Sequence, residues 1–172
     1  MDKNIIVAII GVVIAMCEIA IALYRYILEI ERQKYIDTIN IFESLLGETY
    51  ILKEKYIEYF PNAQNVLDAE NISSNAELLK CTMNLLTRWE SFSRGLYYHV
   101  YDIKTFIYLT PKELAMLLML LNDFVIKECS RKNYPRLFSD YRELTACINE
   151  CVQLKIEGKK IPRKYIKKRS LT

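Results

Sequence analysis

The stretch Ile5–Leu23 constrains this chain more than any other. Of its 19 residues, 17 are apolar, and only Gly11 and Glu18 interrupt the run. Nineteen helical residues span about 28 Å, close to the ~30 Å hydrocarbon thickness of a bilayer. Ala20-Ile21-Ala22 has the small-x-small form of a signal-peptide cleavage site, so a cleaved leader is the competing reading. The flanks argue for a retained anchor. Asp2 offsets Lys3 before the run, and the run exceeds an ordinary leader's apolar core. Arg25, Arg32 and Lys34 follow it, and positive charge there resists translocation. The expectation is a single-pass protein, with residues 1–28 as anchor, the N-terminus outside and the C-terminal part in the cytoplasm. Glu18 lies inside the span, where a charge costs about 2.5–3.5 kcal/mol. Either it reaches the interface or is protonated, or it lines a pore or an inter-helix contact between copies.

With the anchor set aside, the rest of the 172-residue chain is about 47% apolar, ordinary for one packed domain. The net charge of +3 conceals an asymmetry. Residues 159–172 hold seven basic residues and no acid, so the remainder carries −4. That basic tail suits a solvated end, a contact with anionic lipid or protein, or RNA phosphates. The five cysteines form no C-x-x-C pair and read as reduced, buried thiols in a cytosolic setting. Cys147 and Cys151 share a helix face. With a single histidine in the chain, that pair reads as core packing, and neither a metal nor a cofactor is expected.

Residues 29–158 read as helices throughout. A helical period runs through Ile27, Ile30, Tyr35, Ile36, Ile39, Phe42, Leu45 and Leu46, so the anchor continues into the domain until Phe60-Pro61-Asn62 breaks it. Residues 61–75 read as a connection with one helical turn. A second helix spans Asn75 to about Val100, with a stripe of Leu78, Thr82, Leu85, Leu86, Trp89, Phe92 and Leu96. Thr110-Pro111-Lys112-Glu113 has the form of a capping box, starting a helix that ends near Lys132. Pro135 is expected to start the last helix, and Gly158 to close it. The fold class is all-α: an N-terminal transmembrane helix continuing into a cytoplasmic helical bundle.

The single histidine, His99, follows Arg94 in Ser93-Arg94-Gly95-Leu96-Tyr97-Tyr98-His99. An Arg-x4-6-His spacing on a helical bundle resembles the HEPN ribonucleases. In that chemistry the Arg holds the scissile phosphate as an always-charged fork, and the His moves a proton near neutral pH. The competing reading is a half-buried histidine at a helix end. Trp89-Glu90 and Tyr101-Asp102 resemble a wider family of bacterial membrane-anchored helical proteins, in which an aromatic-Glu pair precedes an Asp by about a dozen residues. Glu90 and Asp102 then become supports of the motif, and Glu90 is spaced for an i,i+4 ion pair with Arg94. Gly95 departs from the pattern, since HEPN nucleases place a polar residue directly after the Arg.

The whole layout is similar to the small membrane accessory proteins of type VI-B CRISPR–Cas systems, which carry a divergent HEPN-like domain and accompany an RNA-guided RNA-cleaving effector. The resemblance implies a ring-like homo-oligomer, an octamer being one form, that makes a pore in the bacterial inner membrane and enhances antiphage defence by permeabilising or depolarising it. It implies that Arg94 and His99 matter without an active ribonuclease. Two alternatives stand beside it: a membrane-tethered HEPN ribonuclease contacting RNA, and a non-catalytic membrane adaptor.

Overall fold

A computed structural model describes residues 3–63 and 66–159, so all but the first residue of the basic tail 159–172 lies outside the described residues. Six helices and no strand occur among them: α1 (Lys3–Tyr59), α2 (Ala69–Ser74), α3 (Ala76–Tyr97), α4 (Ile103–Leu109), α5 (Lys112–Lys132) and α6 (Ser139–Ile156). The chain divides into two compact units, residues up to Ile36 and residues from Asp37 onward.

In the first unit, every large apolar side chain from Ile10 to Leu28 is more than half exposed. α1 is the one helix among the described residues long and apolar enough to cross a membrane, with a mean hydropathy of 1.9 in its most apolar window. The helical period read through Ile27, Ile30 and Tyr35 therefore does not mark core positions, since all three are exposed. Cys17, read as a buried thiol, is exposed on the same stretch.

The second unit is a bundle. Its share of α1 buries Thr38, Phe42, Leu45, Thr49, Leu52 and Tyr56, a strict alternation of four- and three-residue steps along one helix face. The two buried threonines of that stripe both have partners. The Thr49 hydroxyl donates to the Leu45 carbonyl (2.7 Å) and accepts from Trp89 Nε1 (3.1 Å). Thr38 Oγ1 accepts the Asp102 N–H at 2.7 Å. Burial without partners would cost each hydroxyl about 1–3 kcal/mol. Phe106 of α4 forms the centre of an aromatic cluster, with ring centroids 5.6 Å from Phe42, 5.3 Å from Phe92 and 6.3 Å from Trp89. α3 packs on α6, α6 on α5, and α2 on α3 and α5. Tyr141 of α6 is fully buried and donates to the Leu118 carbonyl of α5 at 2.6 Å. Burial, and after it the charge of Asp123, pushes its phenol well above the usual tyrosine range.

Two expected helix starts are corrected. Thr110 does not open a capping box: α4 ends one residue before it, and the Thr110 hydroxyl donates backwards to the Phe106 carbonyl (2.8 Å). α5 begins after Pro111 with no side-chain cap. The last helix begins at Ser139, not Pro135, because Phe138 adopts a left-handed conformation (φ 52°) and inserts its ring into the core. α4 itself was not foreseen.

Gly95 leaves room for Tyr101. A Cβ there would run into the Tyr101 ring, which lies 5.1 Å from Phe92 and whose N–H donates to the Gly95 carbonyl at 3.2 Å. With the ring held from both sides, Gly95→Ala is expected to destabilise the bundle by about 1–3 kcal/mol despite alanine's better helix propensity. A thermal unfolding midpoint that stays or rises would contradict this. A second expectation concerns acid. The Glu128 side chain is 3% exposed and takes two bonds from Arg131 (2.8 and 2.7 Å), with Lys132 at 3.6 Å. The bonds from Arg131 hold its carboxyl below the usual range. Its stabilising effect is complete above the unfolded value of about 4.3 and is lost as pH falls through the lower folded value. Glu128→Gln should flatten that acid limb in unfolding curves taken from pH 7 to 3.

Candidate functional site

Arg94 sits in the last turn of α3, where the chain is about to leave the helix. Its Nη2 lies 3.6 Å from Glu90 Oε1, the i,i+4 pair its spacing calls for. The stronger partner is Asp140, in the first turn of α6: Arg94 Nε donates to Asp140 Oδ2 at 2.9 Å. That bond, with the charge of Asp140, raises the guanidinium's already high pKa. One cation between two carboxylates leaves a cluster of net charge −1.

Glu90 has a further role. Its carboxylate accepts the backbone N–H groups of Asp140 (3.3 Å) and Tyr141 (2.7 Å). These are among the unpaired N–H groups at the start of α6, where Phe138 supplies no side-chain cap. Glu90 is therefore a helix cap delivered from another helix, and its negative charge suits the α6 N-terminus.

His99 closes α3. Its φ is +60°, its N–H donates to the Leu96 carbonyl (3.3 Å), and the Val100 N–H donates to the Gly95 carbonyl (2.9 Å). That pair of bonds is the Schellman motif, with His99 in the place usually held by glycine. The same pair of bonds closes α5 at Asn133 and α6 at Gly158, each with positive φ. The imidazole is half-buried and its Nε2 is buried with no hydrogen-bond partner. Asp102 caps α4, its carboxylate accepting from the Thr105 N–H (2.9 Å) and hydroxyl.

The structure thus joins Glu90 and Arg94, adds Asp140, and engages His99 and Asp102 in closing α3 and opening α4. Asp140 was not foreseen; an acid in the first turn of a helix is a recognisable signal, but its partner 46 residues away is not. Glu18 lies in the other unit, exposed on α1. No group of three or more metal-ligating side chains occurs among the described residues, and Cys147 is half-buried and Cys151 buried. Comparison with protein-family models, with curated proteins and with solved structures returns no match.

A left-handed non-glycine residue costs about 1 kcal/mol or more. Replacing His99 by glycine removes that strain and the buried, unpaired nitrogen together. His99→Gly is expected to raise the unfolding midpoint, by roughly 3 °C for a unit of this size. A lower midpoint would mean that the imidazole's packing outweighs the strain.

Proposed function

We propose that this chain is a single-pass anchored accessory protein of CRISPR-linked antiphage defence. It assembles with copies of itself into a ring-like pore in the bacterial inner membrane, its C-terminal unit in the cytoplasm. Permeabilisation or depolarisation of the membrane then strengthens an RNA-guided RNA-cleaving effector. The defence link rests on the resemblance of the layout.

The assembly rests chiefly on one observation, the carboxylate of Glu18 in the middle of the exposed apolar helix. Gly11, Ala15, Glu18, Ala22 and Arg25 recur at four- and three-residue steps and fall within about 80° of one helix face. Small residues let transmembrane helices approach closely, and an intramembrane carboxylate favours a protein or water partner over lipid. Met16, Ala20, Leu23 and Ile27 take the opposite face, suited to acyl chains. Arg25, Arg32 and Lys34 support the cytoplasmic orientation.

The ribonuclease reading is the weaker one. A scissile phosphate would have to displace Asp140 from Arg94 and approach a cluster of net charge −1, while the His99 Nε2 is buried. Arg94 is better explained as a tie between α3 and α6.

The pure protein should run as a large assembly in detergent and release dye from anionic liposomes. Glu18→Leu should insert normally yet lose most of that release. A monomer that leaves liposomes sealed and membrane potential unchanged would overturn the proposal. Metal-independent RNA cleavage abolished by His99→Ala would restore the ribonuclease reading.

A further inference from the structure

α5 carries an exposed ridge. Lys112, Met116, Met119, Asp123, Ile126 and Ser130 are all exposed and follow one another at alternating four- and three-residue steps. They fall within about 80° of one helix face and run for about 27 Å along it. That spacing is the seam of a two-stranded coiled coil. Met116 is 56% exposed, Ile126 44% and Met119 42%, large apolar groups left uncovered by the bundle. One flank of the seam, at Ala115 and Cys129, is buried in the bundle. The other flank is open and carries Glu113, Leu120 and Lys127 at seven-residue intervals, the two charged side chains exposed and Leu120 half-buried. Two cavities border the ridge. One of about 370 Å³ is lined by Met116 and Met119 on the side of α6, and one of about 460 Å³ by Ile126 and Lys127 on the side of α2.

The ridge is complementary to itself. With two copies of α5 run antiparallel across a two-fold axis at the level of Leu121, Met116 faces Ile126 of the second copy. In the same register Met119 faces Asp123, and Lys112 faces Ser130. On the open flank Glu113 meets Lys127, and Leu120 meets Leu120. Because the axis is two-fold, each unlike contact occurs twice, so the ion pair is reciprocal. A parallel arrangement would instead set Asp123 against Asp123 and Lys112 against Lys112, which like charges oppose. Asp123 is the one acid in the seam. A polar group at such a position weakens a pairing but fixes its register. The Lys127 ammonium is available for the contact, since its bond to Glu70 (3.3 Å) joins two exposed side chains and such surface pairs are weak.

We propose that α5 pairs antiparallel with α5 of a second copy of this chain, through Met116, Met119, Leu120 and Ile126, with Glu113 and Lys127 in reciprocal ion pairs. A ring of more than two copies closes through head-to-tail contacts, so this two-fold contact is additional to any that closes a pore. It stands on α5 and does not depend on the pore reading.

The test uses the full chain in detergent. Met116→Cys and Ile126→Cys proteins are mixed and mildly oxidised, and the linked peptides are identified by mass. A disulfide between position 116 of one copy and position 126 of the other is expected. Met116→Cys alone should give at most about a tenth as much 116–116 product, because antiparallel pairing sets those positions about 15 Å apart along the axis, beyond disulfide reach. Glu113→Lys should lower the 116–126 yield about fivefold, two attractive pairs becoming two repulsive ones, and so should Lys127→Glu. Both side chains are exposed, so neither change should move the unfolding midpoint. Combining the two reversals should restore the yield, which no defect of folding would do. Glu18→Leu should leave the 116–126 product intact, so failure of the pore reading is separable from failure of this one. Absence of the 116–126 product, a 116–116 product of equal yield, or a double reversal that restores nothing would overturn the inference.

Discussion

The carboxylate of Glu90 is the interaction on which the α3–α6 side of the bundle depends. A helix begins with N–H groups that have no partner within the helix, and most helices answer this with a polar residue at the first position. α6 begins with Phe138, whose ring belongs to the core. The missing acceptor comes from α3, through Glu90 to the Asp140 and Tyr141 N–H groups. Asp140 then reaches back to Arg94, so the two helices hold each other through two complementary ties. The consequence for function is direct. An arginine that would bind phosphate in a nuclease is already bound by carboxylates, and the histidine spaced to act with it is closing a helix.

α1 shows one helix built for two surroundings. From Thr38 onward its buried positions follow a single face and meet α3 and α4 side chains. Between Ile10 and Leu28 apolar side chains lie all round the helix and are exposed. A helix apolar on every side leaves those side chains without a partner inside the chain, and this one is long and apolar enough to cross a bilayer. Glu18 breaks that uniformity, and so does the small-residue face around it.

His99 illustrates how a motif spacing arises from geometry. A Schellman turn needs one left-handed residue just past the helix end. Arg94 is in the last turn, where a cation suits the helix C-terminus. An arginine in the last turn and a histidine at the turn residue reproduce the five-residue separation without chemistry. Gly95 fits the same account, since its missing side chain admits Tyr101 as the chain folds back.

Much of the bundle was legible without coordinates, because local forces act over a few residues. The stripe from Leu78 to Leu96 is buried along its whole length, and so is that from Leu114 to Val125. The break after Tyr59, the helix start at Asn75 and the close at Gly158 follow from proline, asparagine and glycine chemistry. α4 escaped notice because its seven residues, rich in β-branched and aromatic side chains, are too short for helical periodicity to show. Thr110 and Pro135 misled because either could serve the element before it or the one after it. The partner of Arg94, the cap of α6 and the two cavities beside α5 lay beyond sequence reading for a simpler reason. Each joins residues separated by tens of positions, and only the packing of helices on one another brings them within hydrogen-bonding or lining distance. Local pattern set which faces are apolar and where most helices end; long-range contact settled what the charged residues on those helices touch.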